Sequence, residues 1–161
     1  MFSELKGNGR VWIHTSNRAL NETEQEQIKN QFNSFLSQWA AHGQQLKGNF
    51  DIFYNQVLVL AVDEDFESAT GCSIDSAFQI FKNVDANLDL QLFDRLNLAF
   101  LIADELKIIR LAELNTAYQA GLLNDESILL DNSIAELDAL RSKWKLRFKD
   151  SWAFKKVNQL A

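Results

Sequence analysis

The chain has 161 residues, of which 47% are hydrophobic and 24% are charged, and these values are typical of one globular domain with its own core. The lone cysteine, Cys72, cannot form a disulfide within the chain, which favours a reducing compartment. The N-terminal residues lack a secretory signal pattern, and the longest apolar runs are too short to span a bilayer. The sequence therefore predicts a single cytoplasmic α+β domain over residues 1–161, with a mixed or antiparallel sheet, about four helices and no membrane insertion.

Charge is distributed unevenly along the chain. The net charge is -6, yet residues 141–161 hold seven of the sixteen Lys and Arg and only one acidic residue, Asp150. An acidic body argues against indiscriminate binding of nucleic acid. The basic segment predicts either docking onto the protein's own acidic surface or contact with a local anionic partner.

The first elements predicted are a strand and a helix. Two sets of side chains alternate over residues 11–16, namely Val11, Ile13 and Thr15 and, between them, Trp12, His14 and Ser16. This alternation is typical of a strand. Asn21 followed three residues later by Glu24 predicts a capped helix start. Apolar residues at helical spacing then extend the helix from about residue 22 to 41, and His42-Gly43 ends it.

A hairpin and a second helix are predicted next. Residues 50–54 alternate, and the β-branched run at 57–62 predicts an interior second strand. Ser73 or Asp75 is expected to cap the helix that follows. Its apolar stripe comprises Ile74, Ala77, Phe78, Phe81, Val84 and Leu88.

The second half of the chain predicts another hairpin, whose strands flank Asp104-Glu105. The elements predicted after it are a short helix over 112–120 closing on Gly121, a strand over 128–130, and a helix from a cap at Asp131 or Asn132 to about Lys143.

The basic segment after that helix alternates apolar and cationic residues over 144–149. This pattern predicts a strand with one apolar and one cationic face. One interpretation is an edge strand whose lysines discourage pairing with other sheets. The other is a strip that binds an anion or a partner through Lys145, Arg147, Lys149 and Trp152.

The candidate site is the helix start at residues 71–76, GCSIDS. Unpaired N–H groups at a helix start can bind an anion, and a cysteine there can act as a nucleophile. The ligand-binding candidates are Gly71, Cys72, Ser73, Asp75 and Ser76. The catalytic candidates are Cys72, Asp75 and His14, although a histidine on a strand that also carries Trp12 is more typical of a packed or half-exposed residue than of a catalyst. A purely structural cap, a ligand site and a cysteine-based reaction all stay open, with the structural cap favoured.

Two other patterns suggest chemistry and are rejected. The carboxylates at residues 63–67 lack the spacing of a calcium loop, so a solvated turn is favoured and no metal or cofactor is predicted. Gly43 and Gly48 have the spacing of P-loop glycines, but Asn49 and Phe50 stand where Lys and Ser or Thr are needed. The chain is therefore not expected to be an ATPase.

Several motifs taken together resemble a known family. WAAHG at residues 39–43, VLVLAVDE at 57–64, GCSIDS at 71–76 and FDR at 93–95 are similar to a family of small uncharacterised Bacteroidetes proteins often labelled "ABC transporter ATPase". The resemblance implies a soluble bacterial protein without an established activity, and the missing P-loop speaks against the label. Residues 106–144 show a weaker likeness to GYF-type peptide-binding modules, without their Gly-Tyr-Phe signature.

These observations predict a non-enzymatic binding or accessory protein whose partner is an unknown protein or a small anionic ligand. The alternative is a small enzyme that uses Cys72 or Asp75. A homo-oligomer in which the basic segment completes a neighbour's sheet also stays open.

Overall fold

Strand pairing is antiparallel throughout residues 1–5, 9–64 and 68–157, which are the residues that the computed structural model describes. The strands are β1 (Arg10–Thr15), β2 (Ala40–Ala41), β3 (Gln44–Gln45), β4 (Lys47–Phe53), β5 (Val57–Asp63), β6 (Asn97–Ile102), β7 (Glu105–Arg110), β8 (Ile128–Leu130) and β9 (Lys145–Arg147). The α-helices are α1 (Glu22–Gln38), α2 (Gly71–Leu88), α3 (Leu114–Gln119) and α4 (Leu137–Lys143). The predicted α+β class with about four helices is confirmed.

The first sheet has the strand order β1-β5-β4. All seven residues of β5 are buried, as expected for its β-branched run. Tyr54 and Asn55, with φ values of 54° and 55°, form the tight turn that joins β4 to β5. The predicted hairpin with an interior second strand is therefore confirmed.

Helix α1 begins as predicted but ends early. The side chain of Asn21 accepts a hydrogen bond from the Glu24 backbone, and the Glu24 carboxylate accepts one from the Asn21 backbone. The helix ends at Gln38 rather than near residue 41. Positive φ values at His42 and Gly43 make a two-residue hairpin turn, so Ala40–Ala41 pairs with β3 instead of continuing the helix.

Three phenylalanines join α1, α2 and the first sheet. Phe32 of α1 stacks on Phe50 of β4 with ring centroids 3.7 Å apart, and it meets Phe81 of α2 edge-on at 5.0 Å. Phe32 and Phe81 are fully buried. This cluster fixes both helices on one face of the first sheet.

The second sheet has the strand order β7-β6-β8-β9. Ala103 and Asp104 have positive φ and form the turn of the predicted β6–β7 hairpin. The predicted helix over 112–120 consists of a 3₁₀ turn, Leu111–Glu113, followed by α3, and Gly121 closes it with φ 75°. The predicted strand at β8 is also present.

Helix α4 starts later than predicted. The Asp131 carboxylate accepts hydrogen bonds from the Ser133 backbone N–H at 3.0 Å and from its hydroxyl at 2.5 Å, which makes a turn rather than a helix cap. The chain then runs beside β1, because Val11 N–H donates to the Ala135 carbonyl at 2.9 Å. The helix begins only at Leu137, so the predicted cap at Asp131 or Asn132 is wrong.

Strand β9 forms one edge of the second sheet and pairs with β8. Lys145 and Arg147 are exposed and Leu146 is half-buried, so the strand has the predicted cationic and apolar faces. The strand is shorter than the alternating pattern, because a 3₁₀ turn begins at Phe148.

No helix within the described ranges is long and apolar enough to cross a lipid bilayer.

Candidate functional site

The helix start at residues 71–76 is capped by Thr70, so the predicted cap at Ser73 or Asp75 is wrong. Thr70 Oγ1 accepts a hydrogen bond from Ser73 N–H at 3.4 Å, and Ser73 Oγ accepts one from Thr70 N–H at 2.7 Å. This reciprocal pair is a capping box with Ser73 at its third helical position. It satisfies two backbone donors that a bound anion would otherwise use.

Further contacts give this helix start a structural role. The Trp39 indole N–H donates to the Ser73 carbonyl at 2.9 Å, and the Ser76 hydroxyl donates to the Cys72 carbonyl at 2.9 Å. Ser73 is buried, whereas Cys72 and Asp75 are exposed. A Cβ added to Gly71 would meet no atom within 4 Å. Ser73 therefore holds the helix against Trp39, and its neighbours lie on an open surface.

The structure does not bring the three catalytic candidates together. His14 contacts Leu92, Phe81 and Phe93. In the described part of the chain, no hydrogen bond or ring contact joins His14 to Cys72 or Asp75. The other histidine, His42, lies in the exposed turn between β2 and β3.

The strip predicted to bind an anion or a partner, which we call the basic strip, comprises Lys145, Arg147, Lys149 and Trp152. Two of its three cations pair with the protein's own acidic residues. Arg147 lies 2.8 Å from Asp150 and 3.8 Å from Glu126, and Lys149 also pairs with Glu126. Lys145 lies over the ring of Tyr54 at 5.5 Å. These contacts favour docking on the protein's own surface for Arg147 and Lys149.

The acidic segment after β5 differs from the predicted solvated turn at its first residue. Asp63 is the last residue of β5 and is buried. Glu64 lies 3.4 Å from Arg10 and accepts a hydrogen bond from Ala69 N–H at 3.2 Å. Asp65 and Glu67 lie outside the described residues.

A cleft of about 610 Å³ opens where the first and second sheets face each other. We call it the inter-sheet cleft. It is lined by β1, by the start of β6 and by two further segments, residues 92–95 and 129–134, which we call its walls. The aromatic rings that line it belong to Trp12, His14, Phe78, Phe93 and Trp152, and its polar side chains to Thr15, Asp94, Arg95, Asn97, Asp131, Asn132 and Ser133.

His14 lies in the cleft with a fixed ring orientation. Its Nδ1 lies 3.0 Å from the Leu92 carbonyl oxygen, so this nitrogen carries a proton and donates it. The ring sits between Phe81 at 4.5 Å and Phe93 at 4.8 Å. Burial lowers the pKa of His14 below its ordinary value, against the opposing effect of the Leu92 carbonyl. The neutral ring then offers Nε2 as a hydrogen-bond acceptor.

The wall at residues 129–134 is tied to both sheets by Asn132. Its amide nitrogen donates to Thr15 Oγ1 of β1 at 2.6 Å, and its amide oxygen lies 3.4 Å from the indole nitrogen of Trp144, the residue before β9. Both ends of the amide are therefore engaged, which gives the wall a defined position.

The charged side chains in the cleft fall into paired and unpaired groups. Asp94 lies 3.3 Å from Arg110 and accepts a hydrogen bond from Leu96 N–H at 3.0 Å. Arg95 and Asp131 have no ion-pair partner among the described residues. The first is exposed, and the second is half-buried.

The mouth of the cleft carries exposed apolar side chains. Phe78 is 43% exposed and Trp152 is 48% exposed. Phe78 belongs to the predicted apolar stripe of α2, and its ring lies against Phe93, with ring centroids 5.1 Å apart. Its position at the edge of that stripe places it at the cleft rather than in the core.

The cleft residues were largely missed from the sequence. Periodicity identified β1, yet it gives no sign that residues 131–134 lie beside that strand. Two signals were present, since His14 was a catalytic candidate and the FDR motif at 93–95 contributed to the family resemblance. The sequence pattern predicts a role for Trp152 only as part of the basic strip.

The fold and the cleft define an antiparallel α+β protein with a preformed concavity between its sheets. No family model, curated protein or solved structure matches the chain. The resemblances to the uncharacterised bacterial family and to GYF-type modules therefore stay predictions.

Proposed function

We propose that this chain is a non-enzymatic binding protein that holds a small molecule in the inter-sheet cleft. The observation that carries the proposal is the cleft itself, because it combines aromatic walls with a few polar groups in about 610 Å³. Small-molecule sites commonly occupy roughly 300–1,000 Å³ and have this mixture of lining residues.

The fixed positions of the lining side chains support the same proposal. His14 is held by Leu92 and by two phenylalanine rings, and Asn132 is held by Thr15 and Trp144. A site whose side chains are already positioned loses little conformational entropy when a ligand binds. The rival site at the helix start contributes no residue to this cleft.

The proposal is tested by a thermal-shift screen of a metabolite library, followed by calorimetric titration of each compound that stabilises the protein. We expect Trp152→Ala to weaken binding of these compounds by about tenfold or more, because an aromatic side chain at the mouth is lost. The matched control is Leu122→Ala, since Leu122 is 51% exposed and does not line the cleft.

The screen also separates the two candidate sites. Cys72→Ser leaves the cleft intact and should not change the affinity of these compounds. If Trp152→Ala leaves the affinity of a ligand unchanged while Cys72→Ser abolishes its binding, the ligand-binding site lies at the start of α2. If no compound stabilises the wild-type protein, the proposed function is wrong.

A further inference from the structure

The two unpaired charges in the inter-sheet cleft have opposite signs and lie on different walls. Arg95 belongs to the wall at residues 92–95, and Asp131 belongs to the wall at 129–134. No ion pair joins them, and neither pairs with any other charged group in the described part of the chain. Of the other charged groups close to these walls, Asp94 pairs with Arg110 at 3.3 Å, and Asp85 accepts a hydrogen bond from Leu92 N–H at 3.0 Å.

The hydrogen bonds of Asp131 leave part of its carboxylate unused. Oδ1 accepts from the Ser133 backbone N–H and hydroxyl, while no partner for Oδ2 is found among the described residues. A carboxylate has about four acceptor positions, so Asp131 retains the capacity to bind a ligand's ammonium group. The Arg95 guanidinium retains its donors for a carboxylate in the same way.

Apolar side chains line the same cleft as these two charges. The cleft also exposes Trp12, Phe93 and Trp152, and its rim carries Phe78. A ligand with only one charge would leave either Arg95 or Asp131 unpaired, whereas an uncharged ligand would pair with neither side chain.

We infer that the cleft binds a zwitterion with an apolar side chain, namely a free apolar amino acid or a short apolar peptide, whose carboxylate pairs with Arg95 and whose ammonium group pairs with Asp131. This inference rests on the proposed function, because it names the ligand class of the same cleft. The aromatic walls receive the apolar side chain. The separation of the ligand's two charges distinguishes an amino acid from a peptide.

The probes are L-phenylalanine and the dipeptide L-Phe-L-Phe, titrated into the wild-type protein by calorimetry near pH 7. Each is compared with its C-terminal amide, which lacks the carboxylate, and with its N-acetyl form, which lacks the ammonium group. We expect each blocked form to bind about 10- to 100-fold more weakly than its parent, as for the loss of one charge-assisted hydrogen bond. The parent that binds more tightly identifies the amino acid or the peptide as the ligand.

Two variants test which cleft residue pairs with each charged group of the ligand. In Arg95→Gln the parent and its amide should bind equally, and in Asp131→Asn the parent and its N-acetyl form should bind equally. Asp131→Asn keeps an acceptor oxygen for Ser133, so the wall should retain its fold, which the melting temperature checks. Lys143→Gln and Asp104→Asn make the same charge changes outside the cleft and should leave every affinity unchanged.

Three results would overturn the inference. They are failure of both probes to bind, equal binding of parent and blocked forms to the wild type, and variants that weaken parent and blocked forms by the same factor. None of these results contradicts the proposed function if the library screen still yields ligands whose binding is weakened by Trp152→Ala. If that screen also yields none, both proposals fail.

Discussion

His14 shows how one side chain can be both packed and part of a cleft. The sequence makes it a catalytic candidate while favouring a packed ring, and the structure holds the ring between Phe81 and Phe93 with Nδ1 bonded to the Leu92 carbonyl. Burial disfavours the charged ring and, with a smaller effect of Arg95, lowers the pKa of His14, although the Leu92 carbonyl and Asp85 act in the opposite direction. The result is a neutral acceptor in the cleft, with consequences for stability.

The free energy of unfolding should fall as the pH drops below about 6.5, the ordinary pKa of histidine. The unfolded chain then takes up a proton at residue 14 that the folded chain binds less readily, so acid favours unfolding. Urea denaturation between pH 5 and 8 measures this slope, and we expect it to be shallower in His14→Phe. His42→Gln, in an exposed turn, should retain the wild-type slope. An unchanged slope in His14→Phe would show that His14 titrates alike in both states.

Helix α2 illustrates the limits of sequence reasoning at the scale of an element. Its start was located within a few residues, because small and polar side chains precede an apolar stripe. The capping residue was wrong, since Thr70, Ser73 and Asp75 are all acceptable caps by residue type. The helix start also makes a contact that local sequence does not encode, because Trp39, 34 residues away along the chain, donates its indole N–H to the Ser73 carbonyl.

Thr70→Ala should lower the free energy of unfolding by about 0.5–2 kcal/mol, because the Ser73 backbone N–H loses its acceptor. Asp75→Ala is the control, since Asp75 is exposed and was the competing prediction for the cap. Chemical denaturation of both variants at one pH compares them directly. A larger loss in Asp75→Ala than in Thr70→Ala would contradict the assigned cap.

At the scale of the whole molecule, what could be predicted is what local periodicity encodes. Most strands, the β4–β5 and β6–β7 hairpins and the start of α1 follow from alternation, helical spacing and cap residues. The inter-sheet cleft does not, because it depends on contacts such as that of Asn132 with Thr15, which are 117 residues apart. A turn at Asp131 and a helix cap at Asp131 require the same residue type, so only the pairing of residues 135–137 with the start of β1 decides between them.

The same dependence on tertiary structure separates two phenylalanines that both follow helical spacing in the sequence. Phe32 is fully buried and stacks on Phe50, whereas Phe78 is 43% exposed at the cleft. Phe32→Ala should therefore cost about 3–5 kcal/mol, because it removes a large core side chain and leaves a cavity.

Phe78→Ala makes the identical chemical change and should cost far less, within about 1 kcal/mol, because its ring remains partly in water in the folded state. Thermal and urea unfolding of the two variants, followed by both circular dichroism and tryptophan fluorescence, measures the difference. Since Phe32 bridges α1, β4 and α2, both probes should report one earlier transition in Phe32→Ala. Equal losses of unfolding free energy in the two variants would indicate that Phe78 lies in the core. The mouth of the cleft would then lack one of the aromatic side chains on which the proposed binding depends.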